Sequence, residues 1–228
     1  LSSPLVIFDL DGTLIDTAPD LIDSLNDTIA TADLAPVTFD DLTHLVGQGA
    51  RVMIRRAFEL RKVTLADDEA ERLFQHFVGH YHDHMPGKSR TFDGVVACLE
   101  RLSAAGMRLA VCTNKAEGLA VPLLDKMGLS RHFAATTGGD TFAVRKPDAG
   151  HIFGTIERAG GDLRRSLMVG DSINDILAAT NAGIPSIAVD FGYSDIPVAS
   201  LSPSRVISHF DELTVDMANG LLAARASS

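Results

Sequence analysis

The chain has 228 residues, 46% of them hydrophobic, which suffices for one large core or for a core with a smaller companion domain. A formal net charge of −10 without any run of Lys or Arg excludes nucleic acid and anionic membrane as main partners, and leaves room for a small anionic ligand at one local cationic site. No apolar stretch approaches the roughly 20 residues of a membrane span, and the first residues lack a signal-peptide layout. Two cysteines, Cys98 and Cys112, each inside an apolar run, read as reduced core thiols, so a cytoplasmic protein is expected, as a monomer or a homodimer.

In chain order, Leu5 to Phe8 is an apolar run of strand length, followed at once by Asp9-Leu10-Asp11-Gly12-Thr13-Leu14. From about Asp16 to Lys88 strand signal all but vanishes. Leu21, Leu25 and Ile29, then Leu42, Leu45 and Val46, then Val52, Ile54, Ala57 and Phe58, then Leu73, Phe77 and Tyr81 fall at helical spacing. Pro86-Gly87 ends this all-helical insertion. Beyond it, strands predicted at Met107 to Cys112, Phe133 to Thr136, Leu167 to Val169 and Ile184 to Val189 alternate with helices. Those helices are Gly94 to Ala104, Ala116 to Lys126, Ala149 to Ala159 and Asn174 to Ala182, with Gly128, Gly160 and Gly183 closing the last three. A final amphipathic segment, Phe210 to Ala224, is expected to be a helix. The alternation predicts an α/β fold with a Rossmann-like parallel sheet and helices on both faces, residues 1–15 and 89–228 forming the core and 16–88 the helical insertion.

Chemistry-bearing residues gather at the carboxyl ends of the predicted strands, which in an open α/β sheet face one crevice. These are Asp9 and Asp11, then Thr113-Asn114-Lys115, Lys146-Pro147, and Gly170-Asp171-Ser172-Ile173-Asn174-Asp175. Two carboxylates one residue apart raise each other's pKa unless a cation intervenes. Asp9, Asp11 and Asp171 offer hard oxygen ligands suited to Mg²⁺, and Lys146 adds a fixed positive charge, so a phosphate dianion can approach. One carboxylate can then attack phosphorus while the other works as acid and base, with Thr113 and nearby amides binding the equatorial oxygens.

These four ordered motifs resemble those of the haloacid dehalogenase-like superfamily over nearly the whole chain, with the helical insertion resembling its cap. Ile15-Asp16-Thr17-Ala18-Pro19-Asp20-Leu21, Val46-Gly47-Gln48-Gly49-Ala50, and Leu119 to Leu124 after Thr113-Asn114-Lys115 are similar to the phosphoglycolate phosphatases within it. The resemblance implies Asp9 as nucleophile and Asp11 as general acid and base. It implies Mg²⁺ on the Asp9 side chain, the Asp11 main-chain carbonyl and Asp171. Thr113 and Lys146 would contact phosphate, and Asp175 would orient Lys146 or a metal-bound water. An acid at position 11 argues against dehalogenase chemistry.

Other readings attach to particular segments. Gly47, Gln48, Gly49 and Arg51 are read either as a plain helix-entry loop or as a substrate loop reaching into the crevice, with amides at a helix N-terminus and Arg51 available for a substrate carboxylate. His76, His80 and His84, at i, i+4 and i+8, suit zinc in principle, but a solvated helix face whose C-terminal histidines favour the dipole is the plainer reading. A phosphomutase of the β-phosphoglucomutase kind and phosphatases of sugar phosphates, nucleotides or pyrophosphate share the expected core. A non-catalytic binding protein is disfavoured, because every acid, the lysine and the threonine are present.

Overall fold

In the computed structural model, residues 2–42, 46 and 48–226 are described. Six parallel strands form the sheet: β1 (Leu5–Phe8), β4 (Arg108–Cys112), β5 (Ala135–Thr137), β6 (Ser166–Gly170), β7 (Ser186–Val189) and β8 (Arg205–Ile207), in the order β5-β4-β1-β6-β7-β8. Numbered along the chain, that order is the 3-2-1-4-5-6 of a doubly wound sheet, which opens its ligand crevice where the order reverses, beside β1. β1 sits between β4 and β6, and all four of its side chains are fully buried, as a central parallel strand requires.

Because strand side chains alternate, Leu5 and Ile7 point to one face and Val6 and Phe8 to the other. Leu5 and Ile7 pack with Ile152 and Ile156 of α7 (Ala149–Arg158) and Ala178 and Ala179 of α8 (Ile173–Ala182). Val6 and Phe8 join a second cluster with Leu99 and Leu102 of α5 (Val95–Ala104), Leu123 of α6 (Glu117–Lys126) and Leu222 of α9 (Val215–Ala226). Helices therefore cover both faces, as expected.

Between Thr17 and Ser89 the described residues form only helices and their connections: α1 (Ala18–Ala30), α2 (Phe39–Leu42), α3 (Ala50–Leu60) and α4 (Asp67–His84). α1 packs along α4, and α3 against both, burying the expected Leu25, Ile29, Phe58, Leu73, Phe77 and Tyr81. Leu45 and Gly47 lie outside the described residues. A short antiparallel pair, β2 (Ile15–Asp16) with β3 (Arg90–Thr91), clasps the two crossings at the foot of this insertion. Asp20 reinforces the clasp, accepting from the amides of Lys88 at 2.6 Å and Ser89 at 2.9 Å.

The structure corrects the sequence reading at three places. β8 and the β2–β3 pair were not expected, because segments of two or three residues are too short to show a period. The final helix begins at Val215, not Phe210: Phe210–Glu212 is a separate 3₁₀ turn, closed by Glu212 accepting from the His209 amide. Cys98 and Cys112 are free and buried, and burial pushes both thiols up to about 11, so they are unreactive core groups. No helix among the described residues is long and apolar enough to cross a membrane.

Candidate active site

β1 delivers Asp9 directly into the crevice. Its amide donates to the Val169 carbonyl at 2.9 Å, so the residue continues the β1–β6 ladder while its side chain leaves the sheet. The Leu10 carbonyl then accepts from the amides of Leu14 and Ile15, both at 3.0 Å, and this tight loop folds Asp11 back over the strand end. Gly12 makes the turn with φ of 81°, and a Cβ there would collide with Asp171 Oδ2 and the Tyr193 ring. The glycine is required twice, by the turn and by the close approach of the second acidic segment.

Two buried electrostatic groups share this crevice. In the first, Lys146 Nζ donates to Asp175 Oδ1 at 2.6 Å and lies 2.9 Å from Asp9 Oδ1. Asp175 Oδ2 accepts from the amide and hydroxyl of Ser172, so the cap of α8 also fixes the lysine's partner. Asp171 accepts from Thr13 Oγ1 at 2.9 Å and from the Tyr193 amide at 2.8 Å. Burial foremost pushes Asp9 up to about 7 against the pull of Lys146, and burial followed by the charges of Asp175 and Asp9 holds Asp171 well above the usual carboxylate range. Burial works against the Lys146 ammonium, but Asp175 and Asp9 outweigh it and hold its pKa high.

The second group is balanced. Asp11 accepts from Thr17 Oγ1 at 2.6 Å and from Lys115 Nζ at 3.0 and 3.2 Å, one carboxylate against one ammonium. Lys115 also stands 4.4 Å from the centre of the Tyr81 ring, a cation–π contact reaching down from α4. Asp9 and Asp11 are thus neighbours in sequence with unlike surroundings.

The first group contains three buried carboxylates and one buried ammonium, an excess of negative charge that a divalent cation would offset. One oxygen each of Asp9, Asp171 and Asp175 lies within 4.8 Å of the others, and among the described residues no other His, Cys, Asp and Glu side chains form such a group. Asp9 Oδ1 is buried and makes no directed hydrogen bond, although the Lys146 ammonium lies 2.9 Å away. An orphaned hard oxygen inside an over-negative cluster fits a metal ion.

Thr113 follows β4, the strand beside β1, and its hydroxyl accepts from the Lys115 amide at 3.2 Å. Asn114 Nδ2 donates to the Lys146 carbonyl at 3.0 Å, tying two motifs together. Beside Asp11 a cavity of about 410 Å³ opens between core and helical insertion, lined in part by Gln48, Gly49, Arg51, Asn114, Lys115 and Arg145. Arg51 faces this cavity but is ion-paired with Glu71 and lies 3.7 Å over the Phe74 ring. Gly47 of the expected substrate loop falls outside the described residues.

Several partners escaped the sequence reading. Lys115 stood inside a recognised motif but had no assigned role, because its partner Asp11 is 104 residues away in the chain. Tyr193 had no signal at all: its amide holds Asp171, while its hydroxyl donates to Asp16 and accepts from the Ala18 amide. His151 is buried behind Lys146, accepts from that residue's amide at 3.2 Å, and is pushed down to about 4 by burial. The histidines of α4 do share a face, but they turn to α1: His76 meets Asp27 at 2.7 Å and His80 meets Ser24 at 3.0 Å. The face is therefore packed on α1 at His76 and His80 and not simply solvated as the sequence suggests.

Comparison with known proteins agrees with this geometry. The family profile described as haloacid dehalogenase-like hydrolase matches residues 6–189. The chain is 62% identical over 226 residues to a phosphoglycolate phosphatase of Agrobacterium fabrum, covering 99% of this chain and 97% of the relative. It is 52% identical to a phosphoglycolate phosphatase of Mesorhizobium japonicum, covering 98% and 99%. A crystal structure of a predicted phosphoglycolate phosphatase from Haemophilus somnus superposes with a TM-score of 0.87 at 31% identity, covering 95% of this chain and 97% of that one. By profile, by relatives matched nearly end to end, and by fold, the chain belongs to the haloacid dehalogenase-like hydrolases.

Proposed function

We propose that this protein hydrolyses the phosphate monoester of a small metabolite, 2-phosphoglycolate, through an aspartyl phosphate on Asp9. The observation that carries the reading is the unlike treatment of two buried acids one residue apart. Asp9 has an orphaned oxygen beside Lys146 and Asp171, whereas Asp11 is clamped by Thr17 and Lys115. The names carried by the relatives at 62% and 52% identity support phosphoglycolate as the substrate and hydrolysis over phosphomutation.

Asp9 attacks phosphorus, forming the new O–P bond as the bond to the leaving oxygen breaks. Asp11 protonates that oxygen, with Thr17 and Lys115 fixing its carboxyl group, and then takes a proton from the water that cleaves the aspartyl phosphate. Lys146, oriented by Asp175, and Thr113 hold phosphate oxygens as charge spreads over them. Asp9, Asp171, Asp175 and the Asp11 main-chain carbonyl would hold Mg²⁺, which when bound would supply positive charge that lets a dianion enter. Residues 16–88 act as a cap, hinged at the β2–β3 clasp, that excludes bulk water.

The test is phosphate release over a panel of phosphometabolites with Mg²⁺, in which 2-phosphoglycolate should give the highest kcat/KM and EDTA should abolish turnover. Asp9→Asn should lower kcat on the order of 10⁴-fold or more, since removal of a nucleophile leaves only binding and electrostatics. Near-normal turnover by that variant would sink the mechanism.

A further inference from the structure

We infer that Arg145, and not Arg51, receives the carboxylate of the leaving group and so sets the enzyme's preference for phosphorylated hydroxy acids; this rests on the reading above. The ester oxygen must lie against Asp11 to be protonated, and Asp11 lines the 410 Å³ cavity, so the leaving group projects into that space. In a phosphorylated 2-hydroxy acid one carbon separates the ester oxygen from the carboxylate, which needs a cation there.

Three described cations line the cavity, and two are already engaged. Lys115 is committed to Asp11 and Arg51 to Glu71. The Asp140 carboxylate on the same wall accepts from the Glu117 amide at 2.8 Å. Among the described residues the Arg145 guanidinium has neither an ion pair nor a hydrogen bond, and its Nη1 would stand 3.6 Å from a Cβ placed on Gly49, so the side chain spans the cleft from core to helical insertion.

The backbone under Arg145 is firmly held. Its own carbonyl accepts from the Asp148 amide at 2.9 Å, and the next residue is pinned on both sides, the Lys146 carbonyl by Asn114 and the Lys146 amide by His151. A planar five-donor fork on a fixed stem, adjacent in sequence to the phosphate-binding lysine, is arranged to accept a carboxylate in two parallel hydrogen bonds. The same segment thereby holds the substrate at both ends, phosphate on Lys146 and carboxylate on Arg145.

The test compares kcat/KM for 2-phosphoglycolate and for p-nitrophenyl phosphate, which carries the same phosphate but no carboxylate. Arg145→Ala should lower the ratio of the two by about 10- to 100-fold, the range of one charge-assisted pair, and Arg145→Lys should recover part of it. Equal losses on both substrates, a ratio within about twofold of wild type, or a larger fall in Arg51→Ala than in Arg145→Ala would each overturn the assignment while leaving the phosphatase reading intact. A wild-type enzyme that cleaves p-nitrophenyl phosphate but not 2-phosphoglycolate would overturn the substrate reading, and this assignment with it.

Discussion

At the scale of single residues, the pairing of Lys115 with Asp11 shows how burial changes the worth of a contact. Their side chains are 4% and 5% exposed, so neither charge has water to fall back on. Breaking a pair so buried is costly, whereas an exposed pair such as Arg55 with Asp67 is worth little. Lys115→Met should therefore destabilise the protein by about 3 kcal/mol in urea unfolding, and adding Asp11→Asn should recover part of that loss. A loss below about 1 kcal/mol would mean that the pair behaves as a surface one. The burial of Asp9 and Asp11 could be foreseen from the apolar run before them and the glycine after. Which lysine would serve which aspartate could not: Lys115 and Lys146 each follow a strand end, and only the loop geometry gives the first to Asp11 and the second to Asp9 and Asp175.

At the scale of elements, the loop after β7 joins parts that the chain order keeps far apart. Tyr193 holds the buried carboxylate of Asp171 by its amide and the foot of the helical insertion by its hydroxyl, through Asp16 and Ala18. Tyr193→Phe removes only the second link and leaves a buried amide unsatisfied, which costs about 1 to 3 kcal/mol. With the amide retained, the apparent affinity for Mg²⁺ should stay as in wild type while KM for the substrate rises. A weakened metal affinity with unchanged KM would show instead that the hydroxyl acts on Asp171. No pattern in the sequence points to this tyrosine, because its partners lie 22 and 177 residues away and a lone aromatic in a loop has no period. Long helices such as α1 and α4 were legible for the opposite reason. Their apolar faces repeat over three turns or more, whereas β8 and the β2–β3 pair are shorter than any repeat.

For the molecule as a whole, the cluster of Asp9, Asp171 and Asp175 holds more buried carboxylates than its one ammonium, Lys146, can offset. A cation that binds only the folded chain stabilises it by mass action. Mg²⁺ at about 100-fold over its Kd should raise Tm by roughly 5 to 10 °C for a chain of this size, and Asp171→Asn should abolish the rise. A wild-type Tm indifferent to Mg²⁺ would show that the cluster does not take the ion. By itself the sequence determined the α/β alternation, the helical insertion, and the set of candidate site residues at the strand ends. Each of these is written in local spacing: a buried strand of four apolar residues, a helical period, a polar motif just past a strand. The tertiary structure alone decided which acid meets which lysine, that Arg51 is taken by Glu71 while Arg145 has no such partner among the described residues, and that Tyr193 ties the insertion to Asp171. Those outcomes depend on distances between segments 20 to 177 residues apart, which packing sets and no local pattern records.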